Sequence, residues 1–226
     1  MRVDKTQWTI QALENELAAD SWETATFGMG CFWGPEAHFG SLPGIMRTRV
    51  GFAGGTTENP TYRQMGDHTE TVEVDFDPER LAYADILRIF WQNHYPNRDQ
   101  YKGRQYISLL RFHSEQQKET IEQVKKDMEA ALGEPIETDI AVFTAFTPAE
   151  ERHQKYYLKR YPKALEQLEA FFPEPSMLVD STFAARLNGF VKGYGTRDGL
   201  KQEITGWPIK DEYRQQLIVA LMAIKW

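Results

Sequence analysis

Phe27-Gly28-Met29-Gly30-Cys31-Phe32-Trp33-Gly34-Pro35 joins two periodicities at the only cysteine in 226 residues. Upstream, Ala25, Phe27 and Met29 alternate like one face of a strand; downstream, Phe32, Glu36 and Phe39-Gly40 recur at helical spacing. A strand over about 24 to 30 therefore runs into a helix that ends near Leu42-Pro43-Gly44, with Cys31 at the junction. Gly28, Gly30 and Gly34 allow tight backbone geometry there, and Pro35 suits a helix's first turn. A thiol is a nucleophile only as its thiolate, which positive charge or a helix N-terminus favours. This junction sets Cys31 before free backbone N–H groups. A lone cysteine is more often a small buried hydrophobe. Glycine weakens strands and helices alike, so two glycines before Cys31 and an aromatic pair after it suit a site better than core filler.

Working outward, Ile45 to Phe52 reads as a strand, and Gly54-Gly55-Thr56-Thr57-Glu58-Asn59-Pro60 as a loop dense in breakers. Thr71 to Phe76 alternates strictly until Asp77-Pro78, predicting a half-buried strand with Val72, Val74 and Phe76 on one face. Ala82 to His94 carries a broad apolar helical face. Gln105 to Phe112 resumes strand character. Ser114 can cap a helix through about Leu132, stopped by Gly133. Ile136 to Phe146 alternates again. Thr147-Pro148-Ala149-Glu150 then has the cap, N1 proline and N3 glutamate of a helix running to about Phe172, kinked or broken at Pro162.

Alternating helices and amphipathic strands favour a sheet covered mainly on one face. The expected class is α+β: a two-layer α/β sandwich related to the ferredoxin-like plait, with a mixed sheet, over residues 24–172. Residues 1–23, with apolar Trp8, Leu13 and Leu17, suggest a peripheral helix or extended arm. Residues 173–226 suggest a small helical extension whose last helix, about Lys210 to Lys225, aligns Tyr213, Leu217, Leu221 and Ile224.

The composition, 41% hydrophobic and 26% charged, is that of a folding globular chain. A net charge of −7 without dense basic runs argues against nucleic acid as a partner. No secretory leader and no 18-residue apolar run is present, so a soluble, cytoplasmic monomer without membrane contact is expected. The five histidines show no i, i+4 metal-ligand pair, so no metal is expected. Gly51 to Gly55 lacks the Gly-Lys-Ser/Thr of a phosphate loop, and no bound cofactor is expected.

Several spaced motifs together carry a resemblance. Gly30-Cys31-Phe32-Trp33-Gly34, Val50-Gly51-Phe52-Ala53-Gly54-Gly55, Asn59-Pro60-Thr61-Tyr62, Glu73 to Pro78, Gln105-Tyr106 and Ala149-Glu150 to His153-Gln154 resemble the methionine sulfoxide reductase A family over about residues 22 to 172. The resemblance implies reduction of methionine-(S)-sulfoxide, free or in proteins, with Cys31 as nucleophile and a sulfenic acid intermediate. It further implies Glu70 as proton donor, Tyr62 and Tyr106 as hydrogen-bond donors to the sulfoxide oxygen, and Phe32 and Trp33 as an apolar wall for the S-methyl group. With no second cysteine, it resembles the one-cysteine type, whose reductant would be an external thiol: thioredoxin, glutaredoxin with glutathione, or dithiothreitol. Tyr101 stands where the family usually has aspartate, with Asp99 two places earlier, and the segment between Tyr62 and Glu70 is shorter than in many relatives. Those departures motivate an alternative, a thiol-based redox sensor on the same scaffold. A cysteine hydrolase would need a histidine paired with the thiolate, and no motif nominates one.

Overall fold

The computed structural model describes residues 10–17, 21–97 and 103–226. Six strands, β1 (Glu23–Met29), β2 (Ile45–Ala53), β3 (Thr69–Phe76), β4 (Ser108–Phe112), β5 (Asp139–Val142) and β6 (Phe146–Pro148), form one sheet in the order β5-β4-β1-β3-β2-β6. All neighbours are antiparallel except β4 and β5, so the sheet is mixed, as expected for this α+β chain. Helices α2 (Trp33–Gly40), α3 (Tyr83–Gln92) and α4 (Glu115–Leu132) accompany it. The start and stop of α4 follow the sequence closely. Ser114 Oγ accepts the Gln117 N–H at 3.1 Å, and Gly133 closes the helix in a left-handed conformation at φ 76°.

β3 is the exception to the alternation rule. Its Val72, Val74 and Phe76 enter the apolar core with Phe27, Phe39, Phe52, Ile86 and Phe90, but its polar positions are buried too. The strand register explains this. Glu73 lies beside Thr26 and Arg49, and Asp75 beside Thr24 and Arg47. Arg49 reaches Glu73 at 2.6 Å and Asp75 at 3.0 Å, Arg47 reaches Asp75 at 3.0 Å, and Thr24 Oγ1 donates to Asp75 at 2.8 Å. The second face is thus covered by its own ion-pair lattice, and the half-buried expectation is corrected.

Three further expectations change. The strand at Gln105 begins only at Ser108, because residues 103–106 form a turn. The run from Ile136 to Phe146 divides into β5 and β6, which lie on opposite edges of the sheet. The helix from Thr147 to Phe172 does not form. Thr147-Pro148 ends edge strand β6, where a proline costs no central ladder bond. Gln154 then locks the chain to β2, its Oε1 accepting the Val50 N–H at 2.9 Å and its amide donating to the Val50 carbonyl at 2.8 Å. With Lys155 at φ 51°, the segment resolves into 3-10 turns, Glu151–His153 and Leu158–Arg160. Pro162 opens α5 (Pro162–Leu168) rather than kinking a longer helix.

Beyond α5 come α6 (Pro175–Val179), α7 (Thr182–Lys192), α8 (Arg197–Thr205) and α9 (Asp211–Ala223), the helical C-terminal region expected. Their second core, with Phe183, Leu187, Ile204, Trp207, Leu217 and Leu221, also takes in Leu13 and Leu17 of α1 (Ile10–Leu17). Trp8 lies outside the described residues. α7 crosses α2 at backbone distance: a Cβ on Gly40 would stand 2.8 Å from the Ala185 carbonyl, and one on Gly189 2.7 Å from that of Ala37. A fully buried ion pair fastens the same region. Lys155 Nζ donates to Glu36 at 3.0 Å, to the Thr48 carbonyl at 2.5 Å and to the Val179 carbonyl at 3.1 Å.

Candidate active site

The site begins at the end of β1. A Cβ on Gly28 would lie 2.8 Å from the Thr69 methyl and 3.0 Å from the Glu70 carbonyl, so glycine lets β1 press against the start of β3. Gly30, at φ 99°, turns the chain out of the strand, a conformation that L side chains rarely adopt. Cys31 and Phe32 follow, and α2 starts at Trp33.

Cys31 is exposed to solvent, and its thiol accepts the Trp33 backbone N–H, as expected of a residue ahead of a helix. That donor is outweighed. Surrounding protein, and then the nearby Glu70 carboxylate, push the Cys31 pKa above the ordinary thiol value. No histidine hydrogen-bonds Cys31 among the described residues, so the cysteine-hydrolase arrangement is not assembled.

Glu70 is fully buried and held by both oxygens. Oε2 accepts the Phe32 N–H at 3.1 Å, Oε1 accepts the Gln105 side-chain amide at 2.8 Å, and the Glu70 N–H donates to the Gln105 carbonyl at 2.9 Å. Glu70, at the start of β3, is thus sealed by the 103–106 turn. Tyr62 and Tyr106 hydrogen-bond one another through their hydroxyls. Burial, and then the charge of Glu70, raises both phenol pKa values, keeping them neutral O–H donors near neutral pH. The charge of Glu70 thus acts on Tyr62, Tyr106 and Cys31 alike.

Phe32 and Trp33 diverge. The Phe32 ring is buried against Phe52 and Tyr62, at centroid distances of 6.2 and 6.1 Å, while Trp33 is half-buried and stacks on Tyr156 at 3.8 Å with an interplanar angle of 4°. His153 packs on Tyr62 at 4.4 Å, its Nδ1 lying 3.3 Å from the Trp33 indole N–H and its Nε2 3.1 Å from the Arg152 guanidinium. Neutral imidazole has one acceptor nitrogen, so it serves one of these donors at a time. Burial first, then Arg152 and Lys159, hold its pKa below the ordinary value against the pull of Glu150. The shortened loop is stitched by Asp67, which accepts the backbone N–H groups of Thr56 and Thr57 at 2.8 to 2.9 Å. Tyr101 and Asp99 lie outside the described residues.

All six residues named from the sequence come to one place. Sequence reading gave no site role to Gln105, His153, Tyr156 or Tyr157; the signal lay in the Gln105-Tyr106 and Ala149-to-Gln154 stretches. No cluster of metal-ligating side chains occurs among the described residues, and none of their helices is long and apolar enough to cross a membrane.

Comparison with known proteins identifies a family. The family model for peptide methionine sulfoxide reductase matches residues 23–176. A Drosophila melanogaster peptide methionine sulfoxide reductase is 41% identical over 193 residues, covering 85% of this chain and 77% of the relative. Peptide methionine sulfoxide reductase A5 of Oryza sativa subsp. japonica is 39% identical over 206 residues, with 85% and 80% covered. Among solved structures, methionine sulfoxide reductase A of Corynebacterium diphtheriae aligns with a TM-score of 0.54 at 31% identity, covering 65% of this chain and 78% of that one. Reduced Mxr1 from Saccharomyces cerevisiae aligns at 0.59 and 26% identity, covering 65% and 89%. With the family model matched over most of the chain and relatives aligned over three quarters of their length, the chain belongs to the peptide methionine sulfoxide reductase family, an oxidoreductase family.

Proposed function

We propose that the chain reduces methionine-(S)-sulfoxide, peptide-bound or free, through a sulfenic acid on Cys31 that an external thiol reduces. The observation that carries this is the buried Glu70 carboxyl, fixed by the Phe32 N–H and the Gln105 amide beside an open thiol and two phenol hydroxyls. Glu70 raises the thiol pKa only while it is itself ionised. The competent proton arrangement is therefore Cys31 thiolate with Glu70 protonated, tautomeric with thiol and carboxylate. A sulfoxide oxygen accepting from Glu70, Tyr62 and Tyr106 draws the pair into that tautomer.

The Cys31 sulfur then attacks the sulfoxide sulfur as Glu70 protonates the oxygen. The new sulfur–sulfur bond then breaks as the hydroxyl passes to Cys31, so that methionine leaves as the thioether and Cys31 is left as sulfenic acid, a two-electron reduction of substrate matched by oxidation of the thiol. One external thiol displaces that oxygen as water, forming a mixed disulfide. A second releases Cys31 and leaves as disulfide. These 226 residues contain no second cysteine to do either step. Thioredoxin, glutaredoxin with glutathione, or dithiothreitol in vitro supplies such thiols, and a reducing compartment such as the cytoplasm suits the cycle. Residues 24–172 serve as the catalytic unit, with 1–23 and 173–226 as appendages, acting as a monomer without metal or nucleic acid.

Incubation with each sulfoxide epimer and dithiothreitol tests the proposal. It predicts consumption of the S form alone, and inertness toward both epimers refutes it.

A further inference from the structure

The chain carries net charge −7, yet the aromatic rim beside Cys31 is topped by cations. Trp33 stacks on Tyr156, and the Tyr156 ring meets Tyr157 edge-on at 5.4 Å. The Arg160 guanidinium lies 5.7 Å from the Tyr156 centroid and donates to its hydroxyl at 3.0 Å. Lys192, at the end of α7, places its ammonium 4.9 Å from the Tyr157 centroid. Both cations belong to exposed residues, and neither forms an ion pair among the described residues. Neighbouring Arg152 and Lys159 differ, since each has a glutamate within 3.4 Å. The stack of Tyr156 on Trp33, two residues beyond Cys31, sets this rim beside the site, and burial, then the charge of Cys31, raises the Tyr157 pKa. The end of α7 is fastened to α2 just beyond Lys192. Gly193 ends α7 in a left-handed turn at φ 103°, and Tyr194 stacks on His38 of α2 at 4.7 Å.

We propose that Lys192 and Arg160 are specificity-determining residues that favour methionine sulfoxide in peptide segments with an acidic side chain next to the oxidised residue. This rests on the reductase reading above. With the sulfoxide seated against Phe32 and Trp33, an extended segment advances about 3.3 Å per residue. A flanking side chain is therefore carried onto the cationic rim within one or two residues. The α-carboxylate of free methionine sulfoxide shares this chemistry, but a peptide flank has the longer reach. The acidic molecule as a whole would repel acidic substrates, so a preference for them marks the local rim rather than the overall field.

The test uses capped, amidated peptides that differ only in the residue beside methionine-(S)-sulfoxide: Asp, Asn or Lys. Each kcat/KM is normalised to the Asn peptide, with free methionine sulfoxide and its capped amide as a second pair. The expected Asp-to-Lys ratio is about three- to tenfold at low salt and collapses toward unity at 1 M salt, where the screening length is about 3 Å. Lys192→Glu with Arg160→Glu should invert the ratio, and Lys192→Arg should keep it. A ratio of one in the unmodified protein, a ratio unmoved by charge reversal, or a preference confined to the free amino acid overturns the proposal while leaving the reductase reading intact. Failure to reduce the Asn peptide refutes both.

Discussion

Removing Lys155 probes how the fold holds the helix that follows Cys31. Lys155 and Glu36 are both fully buried, and all three ammonium protons are used, on Glu36, the Thr48 carbonyl and the Val179 carbonyl. Burial holds the Lys155 pKa below the ordinary value, opposed by Glu36. The pair ties α2, which starts at Trp33 beside Cys31, to β2, to the Tyr156-Tyr157 rim and to α6. Lys155→Met leaves the Glu36 carboxylate without its cation and frees two carbonyls from a donor. Breaking a buried pair on one side costs about 3–5 kcal/mol. For a domain of this size each kcal/mol lowers Tm by about 2–4 °C, so a fall of roughly 6–20 °C is expected. In the double variant Lys155→Met/Glu36→Gln the buried charge is gone, and the amide oxygen still accepts the Lys155 main-chain N–H now met at 2.9 Å by Glu36. That variant should recover a substantial part of the loss. Thermal and urea unfolding give the answer. A single variant costing less than about 1 kcal/mol, or a double variant no more stable than the single, would refute the reasoning.

Glu70→Gln removes an anion that raises the Cys31 pKa, so the thiolate should form more readily. Alkylation by iodoacetamide should therefore set in at lower pH, while sulfoxide turnover falls by about 10²–10⁴-fold through loss of the proton donor. An alkylation profile shifted to higher pH would contradict the coupling. Gly189→Val would place a Cβ 2.7 Å from the Ala37 carbonyl and 2.6 Å from the Ser41 Cβ. Overpacking of that kind costs about 1–3 kcal/mol, read as a lower urea midpoint, and an unchanged midpoint would show that α7 does not rest on α2 this closely.

Where a side chain's neighbours are close in sequence, the chain itself reveals the structure. The β1-to-α2 junction, the Ser114 cap and the Gly133 stop are local signals, and each forms where the residues say. The misread elements depend on distant partners. Glu73 and Asp75 alternate like solvated positions, and only the arginines of β2 show why they are buried. Thr147-Pro148-Ala149-Glu150 has every local mark of a helix start, but pairing of β6 with Gly51 to Ala53 and the clamp of Gln154 on Val50 override it. At the site, the family resemblance named the motif residues, whereas Gln105 and Tyr156 gain meaning only from Glu70 and Trp33. The surroundings of Cys31 likewise combine local and distant parts. The helix N–H ahead of it is a local feature, whereas what opposes it is burial by the folded chain and then the charge of Glu70, 39 positions along the sequence.

The central claim is that one thiol, Cys31, takes the oxygen from the sulfoxide. A single turnover of reduced protein with methionine-(S)-sulfoxide in the absence of any added thiol, followed by intact-mass and peptide mapping, tests it directly. The account predicts one methionine released per chain, a gain of one oxygen atom located on Cys31, no reaction with the R epimer, and no product from Cys31→Ser. Methionine formed without oxygen on Cys31, or formed equally by the serine variant, would contradict it.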